Sequence, residues 1–334
     1  MDPTRQGSAG SAVGIDSGCN GLGRDKVSEI QRARIISAMV EVVADRGVAD
    51  ATIAHVVARS GISRRTFYEL FADREDCFLA TFDDAVERAT EYVREAYAIE
   101  LDGRSSRWRE RIRVGLLALL EFFDDEPSMG RLVVVDALGA GGQALDRRQR
   151  LLAQLIAVVD EGRSEVRVGT EMPPLTAEGV VGGVFSLIHI RLLERRPQRF
   201  VDLLNPLMGM IVLPYLGPAA ARKELDRPTP AVRGGRPKGI PRDPFKNLEM
   251  RLTYRTIRAL MAVAANPGAS NRDVADASGV SDQGQMSKLL GRLDHLGLIH
   301  NAGAGRTRGE PNAWTLTDAG REVERALGLE AIEH

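Results

Sequence analysis

The sequence has little cysteine, no excess charge of either sign and no long hydrophobic run. With only two cysteines in 334 residues, Cys19 and Cys77, it cannot form a disulfide framework or a cysteine zinc site, and a reducing compartment is expected. A net charge of −1 excludes a global polycation, so any affinity for nucleic acid must come from local basic patches. The Gly/Ser-rich start lacks the apolar core of a signal peptide, and the longest uncharged apolar run, 179–190, is too short to span a membrane. We therefore expect a cytoplasmic protein without a membrane partner.

The sequence also lacks the signatures of catalysis. It contains no nucleophile elbow, phosphate loop, carboxylate pair or metal cluster. Its histidines show no metal-ligand spacing; they are His55, His189, His295, His300 and His334. We expect no enzyme and no cofactor. An activity that is lost in a His189→Ala variant would contradict this expectation.

The stretch from Thr52 to Phe71 predicts two short helices joined by a glycine turn. The Thr52 hydroxyl can cap the first helix, and Gly61 can leave that helix with a positive φ. Ser63 can then cap a second helix, Arg64 to Phe71. A short helix that presents Arg and Thr in its first turn, braced against another helix, suits the reading of a DNA major groove.

The same residues, Ser60-Gly-Ile-Ser-Arg-Arg-Thr-Phe-Tyr-Glu-Leu-Phe71 with Thr52 before them and Arg74-Glu-Asp76 after them, resemble a known family. About residues 30–95 look like the DNA-binding domain of TetR-type transcriptional regulators. The resemblance implies a core of Phe67, Leu70 and Phe71. It implies DNA contacts from Thr52, Ser63, Arg64, Arg65, Thr66, Tyr68 and Arg74. Arg74 at a helix N-terminus opposes the macrodipole, which independently favours contact with an anion over a surface position without a role.

Residues 96–217 predict an all-helical regulatory and dimerisation domain. Helices are expected at about 106–123, 129–138, 144–162, 176–194 and 200–216. The last two are apolar over most of their circumference, which requires burial on more than one side. They therefore predict a homodimer, with a fully internal pair in a monomer as the alternative.

The same domain offers candidates for a small-molecule pocket. Six side chains can line a cavity for an unknown effector: Phe122, Phe123, Met129, Val135, Phe185 and His189. Ordinary core packing is the alternative for each of them.

Two segments of different composition flank these domains. Residues 1–24, rich in Gly, Ser and Asp, predict a disordered tail, after which the DNA-binding domain is expected at 25–95. Residues 218–247 predict a linker, because their prolines oppose regular structure. From Arg222 to Lys246 this linker has eight basic residues against three acidic ones. Arg233-Gly-Gly-Arg-Pro-Lys238 resembles the core of AT-hook peptides; a flexible basic tether is the alternative.

The last segment, residues 248–334, repeats the helix-turn-helix pattern at a constant offset of 218 residues. Ser270 to Ser281 has the same cap, core contact, glycine turn and second cap as Thr52 to Ser63, and Ser270 with Asp273 forms a capping-box pattern. A longer helix from Gln283 follows, then two short strands around a basic tip and a closing helix from about Asp318.

This C-terminal arrangement resembles the winged helix-turn-helix of MarR-type regulators, including the close Leu316-Thr-Asp-Ala-Gly-Arg321. The resemblance implies that one helix faces the major groove and that the wing reaches the backbone or minor groove. The implied DNA contacts are Ser270, Gln283, Gln285, Ser287, Lys288, Arg306 and Arg308. Glutamine can pair with adenine through two hydrogen bonds. A protein-docking or dimerising module is the alternative.

Together these patterns predict a mainly α protein with a TetR-like helix-turn-helix domain, an all-helical regulatory core and a C-terminal winged helix with a small β-wing. The predicted function is that of a sequence-specific transcriptional regulator in the cytoplasm, associated with the nucleoid. It would be a ligand-responsive homodimeric repressor that binds double-stranded DNA through two modules per chain. A DNA-bridging or nucleoid-organising protein is the alternative, because two modules on a basic tether can hold two DNA segments.

Overall fold

The computed structural model describes residues 18–100, 107–166, 172–194, 199–228, 254–303 and 311–326. The chain divides into two compact units: Arg34–Gly239 form one, and Met1–Ala33 with Ile240–His334 form the other. The described residues are mainly helical, as the sequence predicts, with two short strands. The boundary between the units falls inside the first helix rather than at the predicted residue 25.

The unit of residues 34–239 is helical throughout its described part. Its helices are α1 (Gly18–Arg46, from Arg34 onward), α2 (Ile53–Ser60), α3 (Arg64–Leu70), α4 (Arg74–Glu100), α5 (Trp108–Asp125), α6 (Pro127–Val134), α7 (Gly142–Asp160), α8 (Thr176–Glu194), α9 (Leu204–Leu216) and α10 (Pro218–Leu225). Three short 3-10 helices complete the unit's described part. Asp136–Gly139 follows α6, Glu161–Glu165 follows α7, and Phe200–Leu203 precedes α9. The prediction of a helix at 176–194 is confirmed at both ends by α8.

The predicted helix–turn–helix at 52–71 is confirmed together with its caps. The Thr52 hydroxyl accepts a hydrogen bond from the backbone N–H of His55 at 3.3 Å, and the His55 ring accepts one from the Thr52 N–H. Gly61 ends α2 with a φ of +66°, and Ser63 caps α3 by accepting from the Thr66 N–H at 3.0 Å. Phe67 is fully buried, as predicted for the core of the motif.

Trp108, at the start of α5, links several elements of the helical core through hydrogen bonds and close packing. Its indole N–H donates to the carbonyl of Val158 on α7 at 3.0 Å, and its backbone N–H donates to the carboxylate of Glu165 at 2.6 Å. A Cβ at Gly162 would lie 2.6 Å from the indole ring, so only glycine allows this approach. These contacts join residues 50 and 57 positions apart in the sequence, and they hold the start of α5 against the end of α7 and the turn after it.

The predicted linker is wrong at its start, because α10 occupies Pro218–Leu225 and packs on α9. Pro218 begins this helix rather than breaking it: proline is well suited to the first helical position, where no N–H partner is needed. The fully buried carboxylate of Glu224 anchors α10 to the core. The rest of the predicted linker lies outside the described residues, apart from the short segment that ends at Pro228.

The predicted disordered tail also ends earlier than residue 24, because α1 begins at Gly18. The Gly and Ser content of residues 1–24 is unfavourable for a helix, which is why the sequence predicts a disordered tail there. A helix already nucleated by the apolar residues that follow can nevertheless extend into such a segment at low cost, since propagation is far easier than nucleation.

The other unit contains a second helix-turn-helix and a hairpin. Its elements are α11 (Tyr254–Ala265), α12 (Asn271–Ser278), α13 (Gln283–His295), β1 (Ile299–Asn301), β2 (Trp314–Leu316) and α14 (Asp318–Ala326). The strands are antiparallel, with Ile299 opposite Leu316 and Asn301 opposite Trp314. The predicted capping box of Ser270 and Asp273 is present, and Gly279 ends α12 with a φ of +64°.

The predicted second cap of this motif is wrong. Asp282, not Ser281, caps α13, since its carboxylate accepts from the N–H groups of Gly284 and Gln285 at 2.9 and 3.0 Å. The turn after Gly279 is therefore one residue longer than the turn after Gly61, and the strict offset between the two motifs ends there.

Candidate nucleic-acid interface

Helix α3 presents a basic and aromatic surface to solvent. Arg64 and Arg65 are exposed, and Tyr68 is 53 % exposed. The Tyr68 ring packs edge-on against the buried Phe67 ring, with centroids 5.6 Å apart. Within the described part of the chain, the Arg64 guanidinium has no hydrogen-bond or ion-pair partner. Its charge is therefore available to an anionic partner that approaches the exposed surface of α3.

The other predicted contacts of this motif already have partners within the protein. Arg65 pairs with Glu69 one turn later, with Nε and Oε1 2.9 Å apart. The hydroxyls of Ser63 and Thr66 lie 2.8 Å apart, and Thr52 caps α2. Both partners of the Arg65 ion pair are more than half exposed, so the pair is weak and can open to meet a phosphate.

Arg74 has a bracing role that the sequence did not predict. Its Nη1 donates to the carbonyls of Val48 and Ala51 at 2.7 and 3.2 Å, so its guanidinium holds the loop between α1 and α2. The macrodipole argument overlooked these carbonyls, which come from residues more than twenty positions earlier. Contact of Arg74 with DNA stays a prediction.

Arg59 is a second brace that sequence reasoning missed. From α2 it reaches Glu41 and Asp45 on α1, at 2.9 and 2.8 Å. Hydrogen bonds to these carboxylates raise the pKa of Arg59. The pairs are partly exposed, so each is weak, and together they join α2 to α1. The only signal in the sequence was one Arg on α2 and two acids one turn apart on α1.

In the other unit, the start of α13 presents the predicted polar residues. Gln283, Gln285, Ser287 and Lys288 are all exposed. The amide oxygen of Gln285 accepts from Arg255 on α11 at 3.0 Å. Arg255, which sequence reasoning missed, orients this glutamine and adds a positive charge beside it. Ser270 lies at the start of α12, where it is engaged in the capping box.

The hairpin is held by a network of asparagine side chains. Asn271 on α12 accepts from the Trp314 indole N–H at 2.6 Å and from Asn312 at 3.0 Å. Asn301 donates to Asn312 at 2.8 Å and accepts from the Ala313 N–H at 2.8 Å. The network fixes the base of the hairpin against the helix-turn-helix. Arg306 and Arg308, predicted at the tip, lie outside the described residues.

The predicted pocket residues lie in or at the edge of the helical core. Phe122, Phe123, Met129 and Phe185 are buried, whereas Val135 and His189 are partly buried. The Phe122 and Phe123 rings lie 5.8 Å apart, and Phe123 packs on Phe200 at 5.6 Å. Gly130 allows Phe123 to approach so closely that a Cβ there would lie 2.4 Å from the ring. The α5 phenylalanines thus pack closely with their neighbours, and an effector pocket formed by these residues stays a prediction.

Comparison with known proteins agrees with the N-terminal motif. Residues 35–81 match the pattern of the family "Bacterial regulatory proteins, tetR family". A curated relative, the HTH-type transcriptional activator FasR of Mycolicibacterium smegmatis, is 28 % identical over 114 residues, which cover 34 % of this chain and 48 % of the relative. The chain thus spans about half the length of the curated relative that it matches.

Solved structures overlap with the chain only in part. The fatty acid degradation regulator FadR from Bacillus halodurans has a TM-score of 0.47 at 14 % identity, over 54 % of this chain and 94 % of that chain. FadR from Bacillus subtilis in complex with stearoyl-CoA has a TM-score of 0.44 at 16 % identity, over 54 % and 96 %. Overlaps of this size carry no argument about this chain.

The capped α2 and α3 with the glycine turn between them form a helix-turn-helix. It lies within residues 35–81, which are similar to the N-terminal domain of TetR-family transcriptional regulators.

Proposed function

We propose that the protein is a homodimeric transcriptional regulator that responds to a small molecule and has two DNA-binding modules per chain. The observation that carries the proposal is the exposed α3 face, with Tyr68 exposed and Arg64 without a partner among the described residues, in a segment that matches a family of regulators. In such a domain the short second helix enters the major groove, and a dimer reads half-sites about one helical turn apart. Repression is the expected sign of regulation.

The proposed dimer interface is formed by α8 and α9. By length and composition α8 is long and apolar enough to cross a membrane, although its uncharged run is limited to residues 179–190; 28 % of its most apolar window is buried. Large apolar side chains lie exposed on these two helices: Leu187, Ile190, Leu193 and Leu213. Gly179 and Gly182 face open space, so another helix can approach closely. An apolar surface of this kind supports burial against a second copy.

The proposed second module is the unit of α11 to α14, read as a winged helix. The exposed residues at the start of α13 support it, as does the hairpin that the asparagine network holds beside α12. In this proposal α13 enters the major groove and the hairpin contacts the flanking backbone.

An electrophoretic mobility-shift assay on the DNA upstream of the protein's own coding sequence tests both modules. Replacement of Arg64 by Ala is expected to weaken binding by about 1–3 kcal/mol, which is roughly 5- to 150-fold, because a bidentate contact with a base or phosphate is lost. Lys288→Ala is expected to weaken binding less and to reduce its salt dependence, as for the loss of a phosphate contact. Arg150→Ala, an exposed arginine on α7, is the matched control and should bind like the wild type.

Equal affinity of the wild type and the Arg64 variant, on this DNA and on fragments selected from the genome, would contradict the proposal. Affinity that is insensitive to sequence, with DNA compaction in single-molecule measurements, would instead favour the bridging alternative. A binding profile unchanged by Lys288→Ala and by removal of residues after 237 would favour a docking role for the second module.

Coupling between the core and the DNA-binding domain is proposed to pass through α4. Arg147 on α7 holds both carboxylate oxygens of Asp83 on α4, at 3.0 and 3.1 Å. We expect Arg147→Asp to change the unfolding free energy by less than about 1 kcal/mol, because the pair is partly exposed. The same change should alter affinity for operator DNA at least about three-fold, because α4 is freed from α7.

The reciprocal exchange supplies the control for this prediction. The double variant Arg147→Asp with Asp83→Arg restores the ion pair with reversed polarity and should restore the wild-type affinity. If the single variant binds DNA like the wild type, or the double variant is no better than the single one, this pair does not couple α7 to DNA binding.

A further inference from the structure

Gln285, in the first turn of α13, is held by a contact from another helix. Its side-chain oxygen Oε1 accepts a hydrogen bond from Nη1 of Arg255 on α11 at 3.0 Å. The two residues are 30 positions apart in the sequence, and both are exposed. Gln283 is also exposed, but its side chain has no partner in the described part of the chain. Arg255 therefore distinguishes one of the two glutamines at this surface from the other.

The backbone at Gln285 is fixed as well. Its N–H donates at 3.0 Å to Oδ1 of Asp282, the residue that caps α13. On the other side of the helix, Met286 and Leu290 are fully buried, so α13 cannot turn about its axis. Gln285 and Lys288 lie three residues apart on the exposed side, where helical spacing makes them neighbours. Both the position and the direction of the Gln285 side chain are thus determined within the unit.

The contact with Arg255 also selects one orientation of the Gln285 amide. A guanidinium has only donors, whereas an amide has an acceptor oxygen at one end and a donor nitrogen at the other. Oε1 must therefore face Arg255 and Nε2 must face away, because the flipped amide would bring two donors together. Nε2 has no partner among the described residues, and Oε1 keeps its second lone pair. One acceptor site and two donor protons therefore remain for an external partner.

This set of groups fits the major-groove edge of adenine. Adenine presents N7 as an acceptor beside the N6 amino group as a donor, and a glutamine amide can bind both. The order of these two groups along the edge is reversed when adenine moves to the opposite strand. An amide held in one orientation can therefore pair with adenine on one strand and not on the other. Less rotamer freedom is lost on binding, since the side chain is already ordered.

We infer that Arg255 is a positioning residue that gives α13 a preference for adenine on one strand of its DNA site, because it holds the Gln285 amide in a single orientation. The inference rests on the proposed DNA-binding role of the second module and names the base that the module reads. The positive charge of Arg255 also attracts phosphate, but that attraction does not depend on base sequence. A change in base preference, rather than in affinity, is therefore the effect that reports the positioning role.

Selection of sites from a library of randomised duplexes tests this role in the full-length protein, followed by affinity measurements on duplexes that differ at one base pair. One position of the wild-type site is expected to prefer A·T over T·A by about ten-fold, and Gln285→Ala should remove that preference. Arg255→Ala should reduce it to less than about three-fold, because the freed amide can flip. Arg325→Ala removes an exposed charge from α14 and is the matched control: it should keep the preference, whatever its effect on affinity.

A second variant, Gln285→Glu, changes the chemistry of the reading group while keeping an acceptor for Arg255. The carboxylate has no donor for adenine N7, but it can accept from the N4 amino group of cytosine. The same position should therefore change its preference from adenine to cytosine. An unchanged preference for adenine in Gln285→Glu, or a ten-fold preference retained in Arg255→Ala, overturns the inference.

The same measurements separate this inference from the proposed function. If Gln285→Ala removes the preference at one position and Arg255→Ala leaves it unchanged, the second module reads DNA and the positioning role of Arg255 is overturned. If neither Gln285→Ala nor Lys288→Ala changes the selected site or the affinity, the second module does not bind DNA. That result overturns the inference together with the proposed second module.

Discussion

Replacement of Glu224 by glutamine is expected to destabilise the unit of residues 34–239 by about 3–5 kcal/mol, the usual cost of removing one partner from a buried ion pair. The Glu224 side chain is fully buried. Its Oε2 lies 2.7 Å from Nη1 of Arg113 on α5, and its Oε1 lies 3.5 Å from Nε of Arg109. A third arginine, Arg227, approaches to 3.6 Å. Glutamine keeps the shape but leaves these arginines without a counter-charge.

The surroundings of Arg113 explain why the effect should be large. Its Nη2 donates to Asn205 on α9 at 2.7 Å, and Asn205 in turn donates to the carbonyl of Arg227 at 2.6 Å. Burial lowers the pKa of Arg113, and attraction to Glu224 only partly opposes this. One carboxylate therefore stabilises a junction of α5, α9 and α10, and its loss should release α10 from the core.

Urea denaturation followed by circular dichroism measures this effect. Asp226→Asn, which removes an exposed carboxylate two residues further on, is the matched control and should change stability by less than about 0.5 kcal/mol. Replacement of Arg113 and Glu224 together by methionine should cost less than the single change, because no uncompensated charge remains between them. A Glu224→Gln variant as stable as its Asp226→Asn control would show that water, not Glu224, compensates the arginines.

Replacement of Gly320 by alanine is expected to unfold the hairpin and α14 of the other unit, at a cost of about 3 kcal/mol or more. A Cβ at Gly320 would lie 2.0 Å from the carbonyl oxygen of Leu298. That carbonyl accepts from the Thr317 N–H at 3.1 Å, and the Thr317 hydroxyl accepts from the Gly320 N–H at 3.0 Å. The clash is with backbone that these hydrogen bonds hold in place, so no side-chain movement can relieve it.

The tryptophans report this loss separately for each unit. The chain has two, Trp108 in the unit of residues 34–239 and Trp314 on β2. We expect the emission of Trp314 to shift to the red in Gly320→Ala while α3 still binds DNA. Gly291→Ala on the exposed side of α13 is the control: its Cβ meets nothing within 4 Å, and it should stabilise the helix by about 0.5–1 kcal/mol. A folded hairpin in Gly320→Ala would contradict the close approach.

Features decided by neighbouring residues could be predicted from the sequence. The caps Thr52, Ser63 and Ser270 and the turns at Gly61 and Gly279 were placed correctly, because each depends on hydrogen bonds and backbone angles within about three residues. The apolar character of α8 around most of its circumference was equally readable. Even here a local error occurred: Asp282 took the capping role expected of Ser281, since an ionised carboxylate one residue further on accepts two N–H groups.

Side-chain partners distant in sequence were not predictable. Arg74 meets carbonyls 23 and 26 residues earlier, Trp314 meets Asn271 across 43 residues, and Arg113 meets Glu224 across 111. No local pattern specifies such pairs, because burial and packing choose them only after the helices have assembled. For the same reason the packing of the Phe123 ring on Phe200, which follows far later in the chain, could not be predicted.

By itself, then, the sequence determined that this protein is mainly helical and that a capped helix pair with a basic first turn begins at Thr52. Such a helix pair can be predicted because its caps, its turn and its basic residues all depend on residues close together in the sequence. Only the tertiary structure decided that α10 packs on α9, that Arg59 joins α2 to α1, and that Arg74 holds the loop between these two helices. Those outcomes depend on which charges are removed from water together, and desolvation is a property of the packed molecule rather than of the chain.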